Sequence, residues 1–281
     1  RFENLKKIQY VFLNCYFNSL NANKLFEELT SNKKIDFSRY NYFYASFVAS
    51  SNNIDKAKDI VNFALKSYPR NLLLNQYKLD LNQGTNTSNF DFKNKRHVVA
   101  EILYITSNAL SAQSIYQLSN FYLNLAKYLN EEFHSYDTLL AENFYKIDNY
   151  GEAKIIYNNL RKKGKAFNWY SSKQLARIYI QKENKKKALE VVSDAYNNSA
   201  INDIYETFDY AEFLKNNEKF KESILYYTTV LDEVKKNHPL YAESTDGRGV
   251  AYERIGEWNK AEKDLLASLE ANPDQAYVIN Y

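Results

Sequence analysis

The chain has 281 residues with six glycines, three prolines, one cysteine and no methionine, where an average chain of this length carries roughly 20 glycines and 14 prolines. That scarcity disfavours sandwiches and barrels, which need turn residues at every hairpin, and α/β folds that bind nucleotides through clustered glycines. A net charge of +3 is too small to indicate a nucleic-acid-binding surface, and a single cysteine excludes both an intramolecular disulfide and a multi-cysteine zinc site.

The N-terminal part of the sequence predicts short amphipathic helices in pairs. Apolar residues recur at spacings of three and four over residues 2–16 and 22–31, as they do on one face of a helix. A better-defined pair follows in RYNYFYASFVASSNNIDKAKDIVNFALKSYP, through Ala45, Ala57 and Pro69. A small residue in each helix of a pair indicates that the two helices cross closely.

A long polar stretch follows a lone helix predicted around 72–81. It reads GTNTSNFDFKNKRH, residues 84–97, and predicts an irregular loop. Three interpretations are compatible with it: a hinge, a binding loop, or a repeat that has lost its second helix, and we favour the last. The loop separates degenerate repeats over 1–83 from a second array over 98–281, which we expect to continue beyond the last residue.

The second array contains an internal repeat. Its second helices open with polar turn residues and place a small residue four positions before a bulky one, and the small residues are Ser119, Ala153, Ala188, Ser223 and Ala261. Successive spacings are therefore about 34 to 38 residues, a period typical of helical repeats. The preceding helices carry their own small residues, at Ser107, Ala141, Ala176, Ala211 and Gly249.

This pattern resembles the tetratricopeptide repeat, or TPR, a helix–turn–helix unit. The last repeat matches best, with Gly249, Gly256 and Pro273 where the TPR pattern has them, and departs from it at Thr245 and Arg248. The resemblance implies an all-α fold, a right-handed superhelical solenoid of about seven helix–turn–helix repeats. It also implies a scaffold that binds another protein rather than an enzyme.

The order of segments is similar to that of long alphaproteobacterial TPR proteins of unassigned role, for instance in YPRNLLL and GVAYERIGEWNKAEKDLLASLEANPDQAYVINY. Because such proteins often begin with a signal peptide, the resemblance implies a periplasmic bacterial protein, with the cytoplasm as the alternative. The sequence contains no apolar run of about 18 residues, so no transmembrane segment is predicted.

No catalytic, cofactor-binding or metal-binding constellation is predicted. His97, His134 and His238 lie far apart, and none has a partner at the spacing that brings two metal ligands onto one helix face. We expect His97 and His238 to be solvated. Cys15, in the apolar run YVFLNCYF, is expected to be a buried apolar residue rather than a nucleophile. DGRGVAY lacks the third glycine and the preceding strand of a phosphate-binding loop.

In a TPR array the first helix of each pair lines the concave face, so the resemblance places a peptide-binding groove there. The side chains expected to face this groove are Tyr104, Asn108, Glu142, Tyr145, Lys146, Lys173, Gln174, Arg177, Tyr205, Asp209, Glu212 and Asp246.

Two hypotheses remain open for the basic pair in this groove. Lys173 and Arg177 are one helical turn apart and lie on one face. In the first hypothesis they bind a carboxylate of a peptide, with Tyr145 and Tyr205 packing beside it. In the second they form salt bridges with carboxylates of neighbouring repeats and bind no ligand. The Lys–Asn clamp of chaperone-binding TPR domains is not reproduced, which disfavours recognition of a chaperone tail.

The expected partner is an unidentified protein or peptide, and no cofactor is expected. Nucleic acid is disfavoured, but it is the alternative partner class. The basic runs RKKGK (161–165) and KENKKK (182–187) fall at turns and would bind nucleic acid only if they aligned along one edge of the solenoid.

Overall fold

A computed structural model of the chain describes residues 2–17, 19–31, 37–85 and 89–273. Within these ranges it contains fifteen α-helices and no strand, so the predicted all-α fold of helix–turn–helix repeats is confirmed. The helices are α1 (Phe2–Tyr16), α2 (Ala22–Thr30), α3 (Ser38–Ser50), α4 (Ile54–Ser67), α5 (Leu72–Asn82), α6 (Lys95–Ser111), α7 (Tyr116–Leu129), α8 (Ser135–Lys146), α9 (Tyr150–Leu160), α10 (Lys165–Gln181), α11 (Lys185–Asn197), α12 (Ile204–Asn216), α13 (Phe220–Glu233), α14 (Pro239–Arg254) and α15 (Trp258–Ala271). Seven pairs of consecutive helices are joined by short turns, and α5 stands alone between the second and third pairs.

Six pairs, from α3 and α4 onward, share one kind of turn. In each, the residue before the N-cap of the second helix has a positive φ, between 56° and 82°, and these residues are Asn52, Ser114, Asp148, Glu183, Glu218 and Gly256. Only Gly256 is a glycine, so the chain forms these turns despite its low glycine content. Each non-glycine residue in this conformation costs about 1 kcal/mol.

Asparagine side chains close three of these turns. The side-chain oxygens of Asn53, Asn149 and Asn184 accept hydrogen bonds from backbone N–H groups in the first turn of α4, α9 and α11, at 3.1, 3.4 and 3.1 Å. Such caps satisfy N–H groups that the helix itself leaves without partners, and each stabilises its helix by about 1 kcal/mol. A left-handed residue therefore precedes all six second helices, and in three of them an asparagine cap also fixes where the helix begins.

The small residues lie where helices cross, as the sequence predicts. Ser107, Ala141, Ala176 and Ala211 are all buried. At Gly249 of α14 a Cβ atom would lie only 2.9 Å from the Cγ of Leu265 in α15, which leaves no room for a side chain. These positions set the close approach of the two helices in each repeat.

The chain divides into two compact units, residues Arg1–Gln174 and Leu175–Tyr281. The first unit is built around a large apolar core that runs from α1 through α8. The second unit has a smaller cluster around Phe208, Ala211, Tyr227, Val230 and Leu240. The domain limits expected from the sequence, 1–83, 84–97 and 98–281, stay a prediction.

In the segment predicted to be an irregular polar loop, 84–97, the described residues before Lys95 form no helix, but two of them are buried. Phe90 and Phe92 are buried, and Phe90 lies 4.8 Å from the ring of Phe43 in α3. The ammonium of Lys93 donates to the carbonyl oxygen of Tyr16 at 2.8 Å, and α6 already begins at Lys95. Two phenylalanines inside a polar run thus attach the segment to the core, while residues 86–88 lie outside the described residues.

Candidate binding surface on the first helices

The predicted groove residues lie on first helices in both units. Seven belong to the first unit: Tyr104, Asn108, Glu142, Tyr145, Lys146, Lys173 and Gln174. Five belong to the second unit: Arg177, Tyr205, Asp209, Glu212 and Asp246. They occupy α6, α8, α10, α12 and α14, so the expected assignment to first helices agrees with the helix bounds. Their role in binding stays a prediction.

Tyr104 packs against a side chain of another helix pair. The guanidinium carbon of Arg39, in α3, lies 3.7 Å from the centre of the Tyr104 ring, and the Tyr136 ring lies 5.6 Å away. A cation held over an aromatic face contributes about 1–2 kcal/mol where water is excluded. Tyr104 is therefore half-buried in a structural contact, whereas Asn108, one turn further along α6, is exposed.

Arg39 also forms a buried ion pair that the sequence analysis missed. Its Nε and Nη2 atoms donate to the two carboxylate oxygens of Glu101 at 2.7 and 2.8 Å, and Nη1 donates to the Ser135 hydroxyl at 2.5 Å. Burial lowers the pKa of Arg39, but the Glu101 carboxylate outweighs it and raises that pKa above its ordinary value. Burial raises the pKa of Glu101, and the bonds from Arg39 oppose that rise. The pair joins α3, α6 and α8.

On α8, the predicted residues differ in exposure. The Glu142 carboxylate accepts a hydrogen bond of 3.3 Å from the phenol of Tyr157 in α9. The Tyr145 ring meets the Tyr150 ring edge to face at 5.4 Å, and Lys146 is exposed at the end of the helix. Glu142 and Tyr145 are thus held by the second helix of their own repeat.

On α10, the basic pair sits at the accessible side of the helix. The Lys173 ammonium lies 5.3 Å from the centre of the Trp169 ring, one turn earlier, and Lys173 is half-buried. Gln174 is half-buried and Arg177 is exposed. The Trp169 face restricts the Lys173 side chain, because a cation is attracted to the ring.

In the second unit, carboxylates gather around one buried phenol. The Tyr227 hydroxyl, in α13, donates to Glu212, whose carboxylate also pairs with Lys215 at 2.7 Å. Burial raises the pKa of Tyr227, and the charges of Glu212 and Asp246 raise it further. Gly247 leaves space for the ring, since a Cβ there would lie 2.5 Å from Tyr227. Glu212 and Asp246 are therefore both near enough to the Tyr227 phenol to raise its pKa.

The other predicted residues of the second unit are less enclosed. The Tyr205 ring lies 5.9 Å from the imidazole of His238, and both residues are half-buried. The Nδ1 atom of His238 accepts from the N–H of Leu240 at 3.1 Å, so this histidine caps α14 instead of being fully solvated as expected. Asp209 is half-buried on α12.

The remaining chemistry-bearing residues have structural surroundings. Cys15 is buried as predicted, and burial raises the pKa of its thiol to about 12. His97 is half-buried within α6 and accepts from the N–H of Asp91 at 2.9 Å, whereas the sequence analysis expected a solvated loop residue. Among the described residues, no group of three or more His, Cys, Asp or Glu side chains could hold a metal ion. The described helices also include none that is long and apolar enough to cross a membrane.

Helix pairs, small residues at the crossings and a left-handed residue before each second helix from α4 onward recur along the described chain. The fold is TPR-like. Arg248, where the TPR pattern prefers leucine, binds both carboxylate oxygens of Asp264 in α15, at 2.6 and 2.9 Å. The departure from the pattern thus replaces an apolar contact within the repeat by an ion pair.

Comparison with known protein families and with curated proteins gives no match. Among solved structures, the chain is similar to YrrB, described as a TPR protein with an unusual peptide-binding site, with 19% identity and a TM-score of 0.46 over 64% of this chain and 90% of that one. It is also similar to the APC/C hetero-tetramer Cut9–Hcn1, with 15% identity and a TM-score of 0.45 over 94% of this chain and 44% of that one. A human IFIT1 dimer with m7Gppp-AAAA gives 15% identity and a TM-score of 0.37 over 96% and 55%. The likeness concerns the fold alone, and nothing about function follows from it.

Proposed function

We propose that the chain is a non-catalytic scaffold that binds a protein or peptide partner along its first helices. The observation that carries the proposal is the basic pair on α10. Arg177 is exposed, and Lys173, one turn earlier, is restricted by the Trp169 ring. Two cations on one helix face, one of them already restricted, favour binding of a carboxylate over a neutral group.

The proposed ligand is an extended or helical peptide segment with an acidic side chain or a C-terminal carboxylate. Charge-assisted hydrogen bonds to a carboxylate contribute about 1.5–3 kcal/mol each, enough to select an acidic peptide from a mixture. Glu142 of α8 and Glu212 of α12 each accept a hydrogen bond from the second helix of their own repeat, so each is a fixed rather than a mobile side chain. Fixed side chains lose little conformational entropy when a ligand binds.

The test is selection of peptides from a display library by the immobilised chain. We expect enrichment of peptides with Asp or Glu, and at least a roughly 10-fold loss of their affinity in a Lys173→Glu, Arg177→Glu double variant, because each lost charge-assisted bond is worth more than 1 kcal/mol. The matched control is Lys185→Glu with Lys186→Glu, which makes the same change of net charge at two exposed residues that begin α11. Because Lys173→Glu also removes the contact with Trp169, the double variant should melt slightly earlier, and circular dichroism at the temperature of the binding assay checks that it is still folded.

Two outcomes would contradict the proposal. If the double variant melts earlier and keeps its peptide affinity, Lys173 and Arg177 serve as structural salt-bridge partners. If the chain instead retains RNA or DNA with an affinity that falls steeply with salt, nucleic acid is the partner class. The two basic runs precede and follow α10 rather than recurring at equivalent turns, which supports a protein or peptide partner.

A further inference from the structure

Helix α7 exposes a continuous apolar stripe. Leu118, Phe121, Leu125 and Tyr128 follow one another along its solvent side, with exposed fractions of 44, 57, 38 and 68%. We call these four residues the α7 stripe. Its opposite face, with Ser119, Leu123 and Ala126, is fully buried and packs within the repeat.

Other second helices do not share this feature. Helices α4, α9 and α13 each expose one large apolar side chain, namely Phe63, Ile155 and Leu225, and α15 exposes two that are eight positions apart, Trp258 and Leu266. The first helix α1 exposes Tyr10 and Leu13, so a run of four is found only on α7 among the described helices. Single apolar side chains on a surface are ordinary, whereas a contiguous apolar patch on a soluble protein marks an interaction surface. The stripe is therefore a property of α7 and not of the repeat.

The spacing of the stripe is that of a helix–helix seam. Its residues are separated by three, four and three positions, which is the alternation of a and d positions in a heptad repeat. A helix with this spacing packs its seam against another helix that has the same spacing.

The four side chains of the α7 stripe are uncharged, but a cation of α6 lies at one end of it: the guanidinium carbon of Arg96 is 5.4 Å from the centre of the Tyr128 ring. The other exposed residues along α7 are Gln117 and Asn124, both neutral. The one charged residue of α7, Lys127, is half-buried and forms an ion pair with Asp137 of α8. The seam can face an identical seam without repulsion when the two helices are antiparallel, because the two Arg96 cations then lie at opposite ends of the interface.

We propose that the α7 stripe binds the same stripe of a second copy of this chain, with the two α7 helices antiparallel about a two-fold axis. When the axis passes beside Leu123, Phe121 faces Leu125 of the second copy, and Leu118 faces Tyr128 of the second copy. Each layer then pairs one aromatic ring with one leucine. Alternation of large and small side chains across facing positions is how helices fill the space between them.

The exposed area limits the size of the dimer interface. The four side chains together expose on the order of 500 Å² per copy, so a symmetric pair buries at most about 1,000 Å², at the low end for a specific interface. Interfaces at this end belong to weak, reversible complexes, and we take a Kd of about 10 μM as the value to be tested, since area alone does not fix affinity.

Sedimentation velocity measures the mass of the full chain at protein concentrations from about 1 to 200 μM, which lie below and above the expected Kd. We expect a shift from 33.0 kDa toward twice that mass as concentration rises. Phe121→Glu should raise the Kd by at least about 30-fold, because it places a charge in an apolar seam. The control is Leu225→Glu on α13, another exposed apolar residue, which should leave the Kd unchanged.

A charge swap tests the antiparallel register. Phe121→Glu chains and Leu125→Lys chains should each be monomeric alone, and their mixture should form a dimer, because the opposite charges then face each other across the axis. In a parallel pair each charge would face an apolar residue, and mixing would restore nothing. Circular dichroism at low concentration checks that both variants remain helical.

The proposal is overturned by any of three results. The unmodified chain stays monomeric at the highest concentration, the dimer survives Phe121→Glu, or the mixture of the two charged variants fails to associate. The first result would assign the stripe to a different partner, and the second would place the dimer interface elsewhere.

Discussion

The two compact units differ in the sequence separation between residues that form side-chain bonds. In the second unit, side-chain bonds join neighbours in sequence: Tyr227 reaches Glu212, and Arg248 reaches Asp264. The first unit has such bonds too, but others in it join distant segments: Arg39 reaches Glu101, 62 residues away, and also Ser135, 96 residues away. Contacts between neighbouring repeats are those that a sequence period encodes, whereas distant contacts depend on how the whole chain packs.

The difference extends to the cores. The first unit buries a cluster of aromatic rings drawn from α1, α3, the segment before α6 and the turn before α8: Phe12, Phe43, Phe90, Phe92 and Phe133. The second unit's cluster consists of residues from three consecutive helices. A change in the aromatic cluster should therefore disturb several helices together, while a change in the second unit should act on its own repeat and the adjacent ones.

The largest effect is expected from Phe90→Ala. Phe90 is buried and its ring lies 5.6 Å from that of Phe12 and 4.8 Å from that of Phe43. Removing the ring leaves a cavity, and such changes lower the free energy of unfolding by about 3–5 kcal/mol. Hydrogen exchange followed by mass spectrometry should show faster exchange in α1 and α3, with a smaller change in α12 to α15.

The control for that variant is Phe63→Ala on α4. The Phe63 side chain is largely exposed, so its removal should change exchange little. If exchange became equally faster in all helices after Phe90→Ala, the aromatic cluster would not be confined to the first unit in its effect, and the contrast between the two units would be wrong.

A smaller effect, of about 3 kcal/mol, is expected from Arg39→Met at pH 8, because it leaves the Glu101 carboxylate buried without its cation. A second variant, Arg39→Met with Glu101→Leu, removes both charges and should recover most of the loss. Urea denaturation of the two variants measures the difference. If the double variant is as unstable as the single one, the loss comes from packing and not from the ion pair.

The loss in free energy of unfolding that Arg39→Met causes should depend on pH. Burial raises the pKa of Glu101, and Arg39 opposes that rise, so removing Arg39 raises the pKa further. A carboxyl whose pKa is higher in the folded than in the unfolded chain stabilises the fold while it is protonated. This stabilisation is complete below the pKa of the unfolded chain, near 4.5, and is lost as pH rises through the pKa of the folded chain. The deficit should therefore be smaller at pH 5 than at pH 8.

The sequence predicted the regular features because each depends on nearby residues. The repeat period located Gly249 and Ala261 at a helix crossing, and the apolar run around Cys15 predicted its burial, which the structure confirms. It could not predict that Phe90 joins the core, since the flanking residues are polar and its partners lie in distant helices. The Arg39–Glu101 pair was missed for the same reason. The groove residues follow from the repeat register alone, so their ligand is not encoded in any single motif.

The smallest effect should come from two equivalent tyrosines, one in each unit. Tyr157 donates to Glu142 and Tyr227 donates to Glu212, in both cases to a first-helix residue 15 positions earlier. Tyr157→Phe and Tyr227→Phe each remove one hydroxyl and keep the ring, so each should cost only about 1 kcal/mol, with the half-buried carboxylates regaining water. Urea denaturation measures both variants.

Similar losses would mean that this bond belongs to the repeat itself, whichever unit contains it. A loss confined to Tyr227→Phe would mean that Asp246, the second carboxylate near that phenol, changes the energy of the Tyr227–Glu212 hydrogen bond. Burial and these carboxylates raise the pKa of Tyr227, so the folded chain favours the protonated phenol, and this stabilisation is lost as pH rises above about 10. The phenylalanine variant has no such group, so its deficit relative to the unmodified chain should shrink in strongly alkaline solution.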